Sequence, residues 1–384
     1  MVETLIEPVH AKQQLRAFVA FPWKIYKGDP YWVPPFFRER MQFFDPRKNP
    51  FFEHAEVQLF LARREGQVVG TVAAIINHNH NAFHNDKVAF FGHFECINDQ
   101  EVASALLTAA SDWVRARGME VIRGPMNMST NDECGLLIDG FDSAPVAMMT
   151  YNPPYYERLI TSNGFEKAMD LYAWLISTDV YDCNVNNMPR KVLASCEKLE
   201  REGEITIREA SLAKFSEEMT RAKQVYNSAW GRNWGFVPAT DAEIEHLANG
   251  LRRFLDPEMV FFAEDNGKPV GISVAIPDVN ETLLRIYPKP GGTLRYVYDG
   301  LRFLWAKRRR PRLIRLLIMG VVEGYRGRGI DACFYVHSAR KAFAKGYREC
   351  EMSWILETNT MMNRIIERLG GHIYKTYRIY DKAL

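Results

Sequence analysis

Between an apolar run and a helix-like run lies Glu323-Gly-Tyr-Arg326-Gly327-Arg328-Gly329-Ile330. These residue types suit the holding of a phosphate. Glycines let backbone N–H groups approach an anion closely, and the N-terminus of the following helix turns its positive end toward it. Arg326 and Arg328 add charge. The same residues would also serve as a plain surface turn between a strand and a helix. The flanking elements are legible. Leu313 to Val322, broken by Arg315, reads as a buried strand. Asp331 to Ala344 reads as a helix stopped by Gly346. Further on, Cys350, Met352, Trp354 and Leu356 alternate with Glu351, Ser353, Ile355 and Glu357, as in a strand. Asn359 then opens a helical stretch that ends in Leu369-Gly370.

The spacing Arg326-x-x-Gly329 resembles the acyl-CoA pyrophosphate loop of the GNAT N-acyltransferase superfamily, Gln/Arg-x-x-Gly-x-Gly/Ala, with Asp331 in the last small position. Asn359 and the helix ending at Gly370 resemble the family's second signature, although Ile366 stands where a general-acid tyrosine is usual. The resemblance implies an α/β fold with a mixed sheet and an acyl-CoA co-substrate, acetyl or longer. It assigns Val321, Val322, Arg326, Gly327, Arg328, Gly329, Ile330 and Asn359 to acyl-CoA, with Val321 and Val322 near the backbone N–H that polarises the thioester carbonyl. In that fold the fourth and fifth strands separate where Glu357 falls, so Glu357 is the expected base, Glu323 its rival, and Tyr377 a replacement acid. Asp331 and Ile366 keep open a protein that binds acyl-CoA without catalysis. A Fem-type peptidyltransferase, also tandem, would need a long helical arm, for which Pro189 to Glu202 is a short candidate.

A hairpin pattern occurs twice. Ala62, Gly66, Val69, Gly70, Ala74 and Ile75 match Ala263, Gly267, Val270, Gly271, Ala275 and Ile276 at constant offset. Such a match indicates duplication of a whole domain. Two tandem GNAT-like domains are therefore expected, 1–175 and 205–384, with 176–204 a linker containing a helix. The first copy has Ile97-Asn-Asp-Gln-Glu101 in place of the loop, without glycine or arginine and with two carboxylates. It reads as a copy that has lost its cofactor site.

Composition narrows the partners. A net charge of +2 gives no global pull toward nucleic acid, and 47% hydrophobic residues suit a globular chain. Six cysteines at scattered spacing read as reduced cytoplasmic thiols, and no metal site is expected. No apolar run is long enough to span a membrane. The GNAT resemblance implies an acceptor amine on a small molecule or peptide. The first 55 residues hold many aromatics broken by prolines, an irregular segment that packs its rings on a core or lines a cleft. Asn127, Ser129, Asn131 and Asp132 suit either substrate or loop backbone. Histidines 78, 80, 84 and 93 read as surface residues rather than metal ligands. Leu294, Val297, Tyr298, Leu301, Leu304 and Trp305 share a helix face. Lys307, Arg308, Arg309, Arg310, Arg312 and Arg315 follow it, as a solvated face or as a holder of a 3′-phosphate or an acyl carrier protein.

Overall fold

Two local turns set the frame. Glu65-Gly66 has φ of 49° and 75°, and Asn266-Gly267 has 49° and 81°. Consecutive left-handed residues make the two-residue turn whose twist matches paired strands. The computed structural model describes residues 3–231, 233–252, 254–309 and 311–384, so Arg310 lies outside the described residues. Its strands in chain order are β1 (Leu5–Pro8), β2 (Ala55–Arg64), β3 (Gln67–Asn77), β4 (Val88–Cys96), β5 (Val121–Gly124), β6 (Leu136–Asp139), β7 (Glu166–Ser177), β8 (Ile205–Glu209), β9 (Val260–Asp265), β10 (Lys268–Pro277), β11 (Leu313–Val321), β12 (Glu349–Leu356) and β13 (His372–Ala383). The matched sequences are the hairpins β2–β3 and β9–β10. The matched Gly70 and Gly271 are where a helix presses onto the sheet. A Cβ would lie 2.6 Å from Leu106 at Gly70 and 3.2 Å from Ile330 and Phe334 at Gly271.

Contacts divide the chain into two units, one of Met1–Leu171, Asn280–Arg309 and Lys375–Leu384, the other of Tyr172–Val279 and Arg310–Tyr374. Two pieces of the expected second domain, 280–309 and 375–384, thus group with the first. The first unit's sheet runs β1-β2-β3-β4-β5-β13, with β6 also on β13. β4 and β5 are parallel and the other described pairs antiparallel. Val102, Leu106 and Ala110 of helix Gln100–Arg115 pack on Phe60, Val72 and Phe91. Arg123 of β5 grips Asp381 of β13 with two hydrogen bonds of 2.7 Å. The early aromatics pack inward. Tyr26 stacks on Trp32 at 4.9 Å, and Phe36 meets Tyr296 and Phe303 edge-on. His80 and His93 are mostly buried, not surface residues; desolvation pulls His80 down to about 3. Asn127 Oδ1 accepts from the His93 N–H, and Ser129 bonds Asp132, so this loop's polar groups serve its own structure.

The second unit's sheet runs β8-β9-β10-β11-β12-β7, with β11 and β12 parallel. Helix Ile330–Lys345 covers one face. Helix Arg190–Glu202, the expected linker or arm, packs on it through Cys196 and Leu199 and belongs to this unit's core. Helix Asp241–Leu251 starts at the expected capping box, Thr240 with Glu243. Arg315 departs from the basic surface run. It is 1% exposed and faces Glu351 across the strands at 3.5 Å.

Candidate active site

The site begins where two strands stop pairing. β11 and β12 pair from Leu313 opposite Glu349 to Leu316 opposite Met352, yet β11 continues to Val321 and β12 to Leu356. Just past that rung, Leu316 faces Ala275 and Ile318 faces Val274, which leaves Leu317 as the extra residue of a bulge. A bulge bends its strand and breaks pairing. Val321 faces Gly271, and Val322 N donates to Val270 O at 2.9 Å. By antiparallel geometry the Val321 N–H then points away from β10, to the side that β12 has left. Val322 cannot be the donor expected beside it, because its N–H is committed to the sheet.

At the end of β11, Gly327 and Gly329 take φ of 75° and 91°. Gly329 caps helix Ile330–Lys345 without a side-chain hydrogen bond, so the N–H groups of the first turn remain open to an anion. Glycine is also required by space, since a Cβ on Gly329 would come 3.0 Å from Ser195 O. Both arginines are exposed and engaged within the protein. Arg326 donates to Val321 O at 3.1 Å and Ala229 O at 2.7 Å, and Arg328 to Glu204 at 2.5 Å. Glu323 is exposed in the turn Glu323–Tyr325. Glu357 follows the last residue of β12 and is partly buried, at the open end of the strand gap. Asn359 caps helix Thr360–Arg368 by accepting from Met362 N at 3.2 Å, and Ile366 lies in the core. Tyr377 is fully buried in the first unit, opposite Leu137 of β6.

Two features escaped the sequence. Glu351 stands on the last paired rung but one, fully buried, and desolvation raises its carboxyl to about 7 against the pull of Arg315. Arg315 also bonds Ser353 O at 3.3 Å and lies 5.5 Å from the Trp354 ring. On the same face of β11, the Trp230 ring covers Gly320 so closely that no Cβ would fit. The opposite face holds a cavity of about 80 Å³ under helix Ile330–Lys345, lined by Ile314, Leu316, Met319, Phe334, Cys350 and Met352 among others. Its few polar groups include the hydroxyls of Ser273 and Ser338. The volume is several times the roughly 10–15 Å³ that admits one water, and the lining is oily.

The first unit repeats the strand arrangement with a different outcome. β4 and β5 pair from Val88 opposite Val121 to Phe90 opposite Arg123. Beyond that rung Met126 N donates to Phe91 O at 2.7 Å, and a Cβ on Gly92 would collide with the Met126 carbonyl. The gap is stitched shut. Helix Gln100–Arg115 is capped by Asp99, which accepts from Glu101 N and Val102 N and is held by Arg64. Its N–H groups are satisfied, and the charge there is negative. This unit has its own unforeseen acid, Glu95, whose carboxylate accepts from Tyr156 at 2.7 Å and Tyr26 at 3.0 Å and is raised by desolvation to about 7.

The same strand and helix order, with the central parallel pair parted in the second unit and closed in the first, makes this a protein of tandem GNAT fold. A tandem GNAT protein of the clavulanic acid biosynthesis pathway superposes with a TM-score of 0.56 at 11% identity, covering 99% of this chain and 98% of that one. A GCN5-related N-acetyltransferase of Sphaerobacter thermophilus gives 0.51 at 14%, with 99% and 95% covered. No family model matches the sequence. Closer in sequence are the bacterial ceramide synthase of Caulobacter vibrioides, 34% identical over 98% of this chain and 97% of its own, and Protein YghO of Escherichia coli, 35% identical over 97% and 94%. The chain belongs to the family of these two proteins.

Proposed function

We propose that the chain is an acyl-CoA-dependent N-acyltransferase whose donor site lies in the second unit. The observation that carries the reading is the contrast between the units. One has parted strands ending at an uncapped, glycine-started helix; the other has stitched strands and a carboxylate-capped helix. Phosphate groups of the donor take the open N–H groups from Gly327 to Ile330, with Arg326 and Arg328 exchanging protein acceptors for them. The thioester lies in the strand gap, where the Val321 N–H polarises its carbonyl. The acyl chain enters the apolar cavity beneath helix Ile330–Lys345. The amine attacks the carbonyl carbon, Glu357 takes the amine proton, the C–N bond forms and the C–S bond breaks. The thiolate leaves by its own low basicity and takes up a proton. Tyr377 is not assigned the acid role, because it is sealed in the first unit's core.

The relative's name directs the choice of acceptor. Ceramide is the amide of a fatty acid with a long-chain amino alcohol, so the acceptor proposed for this chain is such an amine. Calorimetry with CoA tests the donor site. We expect one site per chain, lost in Gly329→Glu and kept in Asp99→Gly. Two sites, or undiminished binding in Gly329→Glu, would overturn the assignment.

A further inference from the structure

We propose that the helix Thr293–Ala306 docks the protein on an anionic lipid bilayer. One face of this helix packs into the first unit through Phe303, Ala306 and Asp299. The other carries Leu294, Val297, Tyr298, Leu301, Leu304 and Trp305, and all are exposed, Leu294 by 88% and Trp305 by 69%. The spacing i, i+3, i+4, i+7, i+10, i+11 makes one continuous stripe, not scattered single residues. Lys307, Arg308 and Arg309 follow at the helix end, exposed and without a carboxylate partner. The sequence holds no acidic residue from Gly300 to Val322. Leucines with tryptophan and tyrosine beside cations form the pattern of a helix lying in the headgroup layer. Charge selects this occupant over a protein surface of mixed sign. Among the described residues no helix is long and apolar enough to cross a membrane. The inference does not depend on acyl transfer.

The test is sedimentation of the full chain with phosphatidylglycerol/phosphatidylethanolamine vesicles, against phosphatidylcholine vesicles, at low and high salt. We expect binding to the anionic vesicles at low salt, falling at least tenfold in affinity with phosphatidylcholine, at high salt, or in Arg308→Glu/Arg309→Glu. Leu301→Glu/Trp305→Glu, at exposed positions, should also lose binding while keeping the circular dichroism of the wild type. Equal binding by that variant would overturn the proposal. So would a wild type that ignores vesicles and instead forms a dimer, or a complex with an acyl carrier protein, which the same substitutions break.

A second observation stands independently. Helices Arg190–Glu202 and Ile330–Lys345 bring together two i, i+4 pairs, Cys196 with Glu200 and Cys333 with His337. Ligand atoms of Cys196, Glu200 and His337 lie within 4.8 Å of one another. Cys333 lies beside this group, its Sγ 3.6 Å from Cys196 O. A tetrahedral zinc with bonds of roughly 2.0–2.3 Å needs donors roughly 3.3–3.8 Å apart, so the first three close in slightly and Cys333 turns toward them as the fourth. Cys196 and Cys333 are nearly fully buried, which suits ligands and excludes nucleophiles. We infer that these four side chains bind zinc, with the two thiol protons released. The ion would tie Ser195 and the first turn after Gly329 together at the phosphate loop. Elemental analysis of the full chain, loaded with zinc and dialysed, should give about one zinc per chain. Cobalt in its place should show thiolate charge-transfer and tetrahedral d–d bands. Glu200→Gln, at an exposed carboxylate, should release zinc to a chelator at least tenfold more readily, and Cys333→Ser should lose the charge-transfer band intensity. A metal-free wild type, or variants that hold zinc as tightly, would overturn the site.

Discussion

Glu351 enters the fold as a carboxyl group without water around it, and this makes stability depend on pH. Its folded pKa, about 7, lies above the ordinary 4.5, so the folded protein holds this proton more tightly than the unfolded chain. The stabilisation is complete below 4.5 and lost as pH rises through about 7, about 3 kcal/mol in all. Glu351→Gln mimics the protonated form. Urea unfolding should show the variant gaining on the wild type between those pH values; a pH-independent difference would mean Arg315 holds the carboxylate ionised throughout. Glu95 contributes the same trend in both proteins and cancels from the comparison. Glu357, at the open end of the gap, is the group proposed to meet the amine. Glu357→Gln should lower kcat by ~10²-fold with CoA affinity unchanged. A variant of normal turnover would move the role to Glu323 or a water.

At the scale of elements, local chemistry was the legible part. The Glu65-Gly66 and Asn266-Gly267 turns and the flanking alternation made both hairpins readable, because a two-residue turn depends only on its own φ angles. The turn through Gly327 and Gly329 into the next helix was readable for the same reason. The strand gap was not, since it follows from a bulge at Leu317 that no residue type announces. Nor was the pairing of Arg315 with Glu351, or of the Cys196 and Cys333 helices, because each joins positions far apart in the chain. Periodicity showed that the helix 293–306 had an apolar face but not that it would be left uncovered. The cavity beneath helix Ile330–Lys345 permits a prediction of this kind. Ser338→Leu fills it from the helix side, at a packing cost of roughly 1–3 kcal/mol. The variant should retain acetyl transfer and lose long acyl donors, judged by kcat/KM across donor lengths. An unchanged chain-length profile would place the acyl chain elsewhere.

For the whole molecule, the decisive feature is how the chain's last segment is used. A tandem repeat read from sequence suggests two pieces that each fold from contiguous residues. Instead, Lys375–Leu384 completes the first unit, with Tyr380 opposite Gly124 and Asp381 opposite Arg123 in the β5–β13 ladder. Tyr377, Ile379 and Tyr380 are buried, and Lys375 Nζ donates to the carbonyls of Gly140 and Ser143. The first unit therefore cannot finish its sheet until residues 375–384 have been made. Removing residues 375–384 should strip amide-exchange protection from Val121–Gly124 and Leu136–Asp139, and not merely fray the chain end. Asp381→Ala tests the same point gently. It removes the two carboxylate hydrogen bonds of the partly buried Arg123, at about 1.5–3 kcal/mol, whereas Arg123→Ala/Asp381→Ala together should cost less than the sum of the single changes. Protection of β5 and β6 that survives the truncation would mean that the first unit closes without its last strand.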